Sequence, residues 1–538
     1  MGAVVRLALL QGRRDRGVLA AWTVGIAGLG YAAATAVTTE FAGDTERAAL
    51  MGVAAASPAF LFLRGLPDGI SSGAVTFFQG YSFTAVLAGL MSTFLVVRHT
   101  RADEDQGRAE LVGAAPVNRT ASLGATLMLG GGANAVLALV VAAGFAGAGL
   151  PVTGSLLAGA AVGAVGLFFT ATAALVAQAM PSARSANGVA AALVGAAYLL
   201  RGAGDALGTA DSPLHVVAAW PSLFSPIGWG QRIRPFTDAD PRPLLVLASA
   251  ALVLAATAVL LRNRRDLGAS YIPANESGAA RARPGLASFF GLAWRLQRGT
   301  VAGWCLTAAV LGVVAGGLGP VVRDALAGNP SVAELISRVV PGEASMVDLF
   351  TTAMLGLAGI MAAAAGIQAV LRLRAEEAEG RAELLLAAPA SRVRWLGGSL
   401  AIAAISTTAI AAAAGASAAL VLALVQAGGS NPGTVFAGAL AHVPAALVFP
   451  ALTALVFAIR PRWTSAVGWG ALAVALVLGQ FGELLGLPTW LQDLSPFRHS
   501  SAMPVEAFNR DGALVMAAVV LLAAAAAARL VKERDMSV

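Results

Sequence analysis

The stretch RADEDQGRAELVGAAPVNR, from Arg101 to Arg119, occurs a second time as RAEEAEGRAELLLAAPASR, from Arg374 to Arg392. Both copies are strongly charged, and each is flanked by long apolar blocks. They share Arg, Glu, Gly and Pro at matching positions. Self-similarity of this kind indicates an internally repeated chain. The sequence therefore predicts two related halves, each with one copy of the charged stretch.

The composition excludes an ordinary soluble protein. Of the 538 residues, 57% are hydrophobic and only 12% are charged, whereas a soluble globular domain has about 25% charged residues. Nearly all basic residues are Arg, with Lys532 as the only lysine, which is typical of a GC-rich bacterial genome. Because the arginines stand mostly at the ends of apolar blocks, a membrane explains the positive charge better than nucleic acid does.

Twelve apolar blocks are long enough to cross a membrane. About 20 apolar residues in a helix span the hydrocarbon core, and these blocks are too long and too continuous for barrel strands. The predicted fold class is therefore an all-α polytopic membrane protein, in which Gly130–Gly132 is a candidate break in the third helix. We expect transmembrane helices at 18–38, 79–98, 121–148, 154–179, 185–203, 243–262, 300–320, 348–371, 395–426, 433–459, 464–482 and 511–530.

Further matched segments divide the twelve helices into two sets of six. RGVLAAW at 16–22 returns as RGTVAGW at 298–304, and WPSLFSP at 220–226 returns as WLQDLSP at 490–496. An even number of helices makes the halves parallel, with a pseudo-two-fold axis along the membrane normal. The predicted domains are a first half at 1–262, a cytoplasmic connector with an interfacial helix at 263–297, and a second half at 298–538.

Two basic, apolar-faced segments and the arginine distribution predict the orientation. The segments precede the first and seventh helices, and we expect both to lie on the inner membrane surface. Arginines concentrate in alternate loops, including both copies of the charged stretch, which places those loops in the cytoplasm. We therefore expect a multi-pass protein of the bacterial plasma membrane with both termini inside. The first apolar block is expected to be an uncleaved anchor rather than a signal peptide.

The charged stretch has the spacing of a short helix followed by a turn. Glu104 precedes Arg108 by four positions, as Glu377 precedes Arg381, an order that supports a helix. A following proline should end it. Two interpretations are open: a solvated loop whose arginines only enforce topology, and a docking surface for a cytoplasmic partner. The matched Glu, Gly and Pro positions favour docking. The candidate docking residues are Arg101, Glu104, Gly107, Arg108, Glu110, Pro116, Arg119, Arg374, Glu377, Gly380, Arg381, Glu383, Pro389 and Arg392.

The pattern R-x-x-E-x-x-G-R-x-E-L-x-x-A-A-P-x-x-R resembles the cytoplasmic loop of ABC exporter permeases, particularly actinobacterial exporters of the tetronasin and polyketide type. The resemblance covers the whole chain. It implies that the two stretches are coupling helices, each docking one copy of a separate ATPase subunit. It also implies export of drugs or antibiotics by alternating access, with ATP and Mg²⁺ bound by the partner.

The chain is not expected to be an enzyme or to bind a cofactor itself. A P-loop needs a lysine against the phosphates, and Lys532 lacks the preceding G-x-x-x-x-G. With one cysteine, Cys305, and four histidines, no catalytic arrangement or cysteine-based metal site stands out. Expected partners are two ATPase subunits, membrane lipid and a small amphiphilic substrate, and no nucleic acid.

Two features of the apolar helices are candidates for the substrate path. Few ionisable residues lie deep in the helices, which favours an amphiphilic cargo over an ion or sugar. His442 in the tenth helix is either a packed, hydrogen-bonded side chain or a ligand. An aromatic cluster opens the second helix and is either an interfacial belt or a cargo surface. Its members are Phe77, Phe78, Tyr81 and Phe83.

Two other functions remain open at the level of sequence. A proton-coupled secondary exporter of the major facilitator kind also has twelve helices in two parallel halves. It would require a G-x-x-x-D-x-x-G-R-like loop between the second and third helices and charges inside the helices. This sequence has a longer acidic loop ending in proline and few membrane charges. A membrane scaffold without transport activity is the second alternative.

Overall fold

A computed structural model describes residues 2–56, 58–212, 215–273, 284–317, 346–387, 391–425, 431–481 and 488–534. The chain divides into two compact units, Met1–Gly278 and Ala279–Val538. Within the described ranges, twelve helices are long and apolar enough to cross a membrane. The prediction of an all-α, multi-pass membrane protein is therefore confirmed.

The described part of the first unit is helical or irregular apart from one hairpin. Its two short antiparallel strands are β1 (Thr209–Ser212) and β2 (His215–Val217). Its helices are α1 (Gly2–Glu40), α2 (Asp44–Ala56), α3 (Pro58–Arg64), α4 (Ser72–His99), α5 (Arg101–Asp105), α6 (Arg108–Gly113), α7 (Ala121–Gly147), α8 (Val152–Ala179), α9 (Ala183–Ala206), α10 (Pro226–Gln231) and α11 (Arg242–Arg264), with a 3-10 turn at Trp220–Phe224.

The described part of the second unit is entirely helical or irregular. Its helices are α12 (Phe289–Gly317), α13 (Met346–Ala378), α14 (Arg381–Leu386), α15 (Arg392–Val425), α16 (Pro432–Ala441), α17 (Val443–Ile459), α18 (Thr464–Phe481), α19 (Thr489–Gln492) and α20 (Arg510–Glu533). Short 3-10 turns lie at Pro284–Ala287, Pro461–Trp463 and Pro496–His499.

Glycines set the spacing between the helices of the first unit. Helix α8 packs on α4, α7 and α11. A methyl group on Gly159 would lie 2.2 Å from the Ala138 carbonyl oxygen, and one on Gly166 would lie 1.8 Å from Asn134 Oδ1. Only glycine permits this approach, which is how helices without a hydrophobic driving force gain contact in a membrane.

The second unit uses the same device between α12 and α15. A methyl group on Gly312 would lie 2.1 Å from the Ala414 carbonyl oxygen, and one on Gly316 would lie 2.5 Å from the Ala418 carbonyl oxygen. The small residues at these positions are therefore a packing requirement and not only a consequence of composition.

Two local expectations about helix continuity differ from the structure. The basic segments before the first and seventh helices do not form separate interfacial helices, because α1 and α12 run through them without interruption. No proline separates either segment from its apolar block. At 1.5 Å per residue, the 39 residues of α1 extend about 58 Å, well beyond a hydrocarbon core of about 30 Å. Gly130–Gly132 do not break α7. The expected tenth helix is confirmed as one span, Pro432–Ile459, in which a single turn residue, His442, stands between α16 and α17.

Candidate functional site

The two copies of the charged stretch have the same backbone shape. In each, a helical segment stops at a glycine with φ 70°, Gly107 or Gly380, and a six-residue helix follows, α6 or α14. This left-handed conformation is readily adopted by glycine and costs other residues about 1–2 kcal/mol. The shared glycine of the sequence pattern therefore makes the bend in both units.

Glu104 lies buried at the base of the first copy, surrounded by arginines. Its side chain is 5% exposed and accepts hydrogen bonds from Arg101 Nη1 at 2.8 Å, Arg262 Nη1 at 2.7 Å and Arg265 Nη2 at 2.5 Å. Arg262 belongs to the last turn of α11, and Arg265 is the residue directly after that helix. Glu104 therefore fastens the loop to the last transmembrane helix of its own unit.

Arg101 is also a structural residue. Its guanidinium donates to the carbonyl oxygens of Pro181 at 2.7 Å, Gly268 at 3.1 Å and Ala269 at 2.7 Å. The side chain is 3% exposed. Because its donors are turned inward, Arg101 holds the start of the connector against the loop and offers no surface to a partner.

In the second copy, an arginine at the end of the last helix binds the buried glutamate of the loop. Glu377 Oε1 accepts from Arg534 Nη2 at 2.7 Å, and the Glu377 side chain is 4% exposed. Arg534 follows α20 directly and also donates to the Phe457 carbonyl oxygen at 2.6 Å. Arg392 donates to the Arg534 carbonyl oxygen. The last helix of the second unit is thus tied to its loop as α11 is in the first.

The predicted Glu104–Arg108 and Glu377–Arg381 pairs do not form. Arg108 Nε donates to Asp103 Oδ1 at 2.8 Å, and Arg381 pairs with Glu379. The cause is the left-handed glycine between the partners, because a spacing of four brings side chains together only along a continuous helix. The short-helix-and-turn prediction holds, but the pairing within it is wrong.

Only part of each predicted docking set faces outward. Helices α6 and α14 carry exposed Glu110 and Glu383, with a leucine beside each: Leu111 is 77% exposed and Leu384 is 79% exposed. Pro116 is exposed in the turn after α6, and Arg119 pairs with Asp266 at 2.5 Å. Arg374 lines a cavity described below, and Pro389 lies outside the described residues.

Sequence reasoning missed two sets of residues. Leu111 and Leu384 were part of the repeated pattern, and their signal was a matched apolar residue beside a charged one. For Arg262 and Arg534, a position at the end of an apolar block indicates only membrane topology. Their signal was an offset of 272 positions, nearly that of the two glutamates that they bind.

The predicted aromatic cluster separates into core and surface. Phe77 and Tyr81 are buried and stacked, with ring centroids 4.5 Å apart, and Tyr81 Oη donates to the Ile227 carbonyl oxygen at 2.8 Å. Phe83 is exposed. Phe77 and Phe78 also line a cavity of about 470 Å³ with Arg232, Phe236 and charged loop residues.

His442 is buried where α16 meets α17. Its Nδ1 lies 2.9 Å from Ser500 Oγ. This is the packed, hydrogen-bonded arrangement of the two that the sequence left open. Among the residues that the structure describes, no group of three His, Cys, Asp or Glu side chains could hold a metal ion.

Comparison with known proteins identifies relatives of the chain. Residues 286–530 match the family model described as the C-terminal domain of the multidrug efflux system permease Rv1217c. The multidrug efflux system permease protein Rv1217c of Mycobacterium tuberculosis is 34% identical over 528 residues, which cover 97% of this chain and 93% of that protein. The chain therefore belongs to the family of multidrug efflux system permeases that includes Rv1217c.

Proposed function

We propose that this chain is the permease of an ATP-driven exporter, with a separate ATPase subunit docking on each copy of the charged stretch. Docking would use the exposed ends of α6 and α14, with Leu111 and Leu384 as apolar anchors. Two loops separated by six transmembrane helices would face the same compartment, which the arginine distribution identifies as the cytoplasm. Both termini would then also be cytoplasmic.

The observation that carries the proposal is the repeated fastening of each loop. A solvated loop needs only arginines to set topology, but here a buried glutamate ties each loop to an arginine at the end of that unit's last transmembrane helix, at 2.7 Å in both units. A force applied to α6 or α14 would therefore reach α11 or α20 directly. Nucleotide-driven movement of the partners would shift the helices by alternating access.

The cargo would be a small amphiphilic compound of the drug or antibiotic type. The relative's name, the resemblance to tetronasin and polyketide exporters, and the scarcity of membrane charges all support this class. ATP and Mg²⁺ would bind the partner, because this chain lacks a P-loop sequence.

Reconstitution tests the proposal against the secondary-exporter and scaffold alternatives. The purified chain is placed in proteoliposomes with a candidate ABC ATPase subunit from the same organism, and transport of a lipophilic dye is measured with ATP, without ATP and with an imposed proton gradient. We expect transport only when the ATPase and ATP are both present. Transport driven by the gradient without ATPase would contradict the proposal, and no transport under any condition would favour a scaffold.

A further inference from the structure

The second unit has a basic cavity beside the base of its charged stretch. The cavity has a volume of about 600 Å³, and its charged lining includes Arg374, Arg460, Arg462 and the Glu377–Arg534 pair. That pair is balanced in charge. Within the described residues, the guanidinium groups of Arg374, Arg460 and Arg462 have no hydrogen-bond or ion-pair partner. The remaining carboxylate of the lining is the exposed Glu383. The cavity therefore carries excess positive charge.

The first unit lacks this arrangement. Arg101, the counterpart of Arg374, is covered by three carbonyl oxygens and Glu104. Alignment of Pro181 with Pro461 places Met180 and Ser182 where the second unit has Arg460 and Arg462. The basic cavity is thus a property of one unit and not a requirement of the shared loop shape.

The ligand chemistry follows from the unpaired guanidinium groups. Arginine presents planar, paired N–H donors that match the oxygens of phosphate. Arg460 follows the last residue of α17, Ile459, and Arg462 precedes Trp463. Ile459 is 56% exposed and Trp463 is 51% exposed. Exposed tryptophan at the end of a transmembrane helix is typical of the headgroup level of a bilayer. Exposed apolar side chains therefore adjoin the arginine-lined cavity in the sequence Ile459–Trp463.

We propose that this cavity binds the phosphate group of an anionic phospholipid from the adjoining leaflet. Arg374, Arg460 and Arg462 would bind the phosphate, while Ile459 and Trp463 would contact the lipid's apolar part. The bound lipid would satisfy the donors of Arg374, as backbone carbonyl oxygens satisfy those of Arg101. This inference is independent of the export function and holds for the chain alone.

The test is a lipid titration of the full chain in nonionic detergent, followed by native mass spectrometry. The probes are phosphatidylglycerol, phosphatidylcholine and inorganic phosphate. We expect one phosphatidylglycerol to bind at least tenfold more tightly than phosphatidylcholine and to resist millimolar phosphate. The variant Arg460→Met with Arg462→Ser introduces the residues of the first unit and should weaken this binding at least tenfold, as should Arg374→Gln.

Arg529→Gln is the matched control. Arg529 is an exposed arginine near the end of α20 that lies outside the cavity lining, so this variant removes the same charge and should bind phosphatidylglycerol normally. Thermal unfolding of every variant establishes that it is folded.

Four results would overturn the proposal. Equal affinity for the two lipids would mean that the cavity has no specific lipid site. Equal loss of phosphatidylglycerol affinity in the control variant would mean the same. Displacement of phosphatidylglycerol by millimolar phosphate would identify a free anion as the ligand. Loss of a cytoplasmic protein partner from the Arg460/Arg462 variant, with lipid affinity unchanged, would make the cavity a protein-docking surface.

Discussion

The two copies of the charged stretch share a shape but differ in how that shape is held. In the first, Glu104 binds three arginines, and the connector covers Arg101. In the second, Arg534 is the one partner of the Glu377 side chain among the described residues, and Arg374 lines a cavity. The common elements are the left-handed glycine, the buried glutamate and an arginine from the last helix. The comparison teaches that these three elements suffice for the loop, while the surrounding charge can change.

The largest effect is expected from the exposed leucines. Changing both Leu111 and Leu384 to Asp replaces an apolar anchor by a charge on each loop, and a buried leucine is worth about 1.5–3 kcal/mol per side chain. Association with the ATPase and ATP-dependent export should each fall at least tenfold, as measured by pull-down and dye transport.

The conservative pair Leu111→Met with Leu384→Met is the control and should retain association. Each single Asp variant shows whether the two loops contribute equally. Normal ATPase association in the double Asp variant would contradict docking through these helices.

Replacement of the two buried glutamates should lower the free energy of unfolding by different amounts. Glu104→Gln leaves Arg262 and Arg265 with no full negative charge, and Arg101 keeps only Asp105, 3.6 Å away. Loss of one partner of a buried ion pair costs roughly 3–5 kcal/mol. Glu377→Gln leaves only Arg534, which keeps the Phe457 carbonyl oxygen, so about half that cost is expected.

Thermal unfolding in detergent measures the difference between these variants. Equal shifts in Tm, or a larger shift for Glu377→Gln, would contradict the conclusion that Glu104 has more charged partners than Glu377.

Replacement of the two left-handed glycines should destabilise the protein by equal amounts. Gly107 and Gly380 both have φ 70°, and no atom lies within 4 Å of a methyl group built on either. Alanine at each position should therefore cost only the backbone term of about 1–2 kcal/mol. Unequal Tm shifts for Gly107→Ala and Gly380→Ala would show that the two bends are not equivalent.

The smallest effect is expected at Arg119. Its bond to Asp266 joins two partly or fully exposed side chains, and exposed ion pairs contribute about 0–1 kcal/mol. Arg119→Gln should leave Tm within a few degrees of the wild type. A shift as large as that of Glu104→Gln would show that the connector is held at this pair rather than at Arg101.

The transmembrane helices could be predicted from the sequence because each depends on a local run of apolar residues. Helix ends were less accessible, since the basic starts of α1 and α12 favour a membrane surface and a continuing helix equally well. For the candidate site, the sequence predicted which stretches of the chain form it but not which side chains pair within it. Glu104 and Arg262 are 158 positions apart, and local spacing instead indicated Arg108. The left-handed glycine that separates Glu104 from Arg108 was visible in the sequence, but its backbone conformation was not.

The most direct test of the central proposal is protection of the two leucine positions by the ATPase. In a chain with Cys305→Ser, which removes the only cysteine, Leu111→Cys and Leu384→Cys are labelled separately with a membrane-impermeant maleimide. We predict that both positions label in inside-out vesicles, that neither labels from outside intact cells, and that bound ATPase protects both. Labelling of either position from outside, or labelling that the ATPase leaves unchanged at both, would contradict the account.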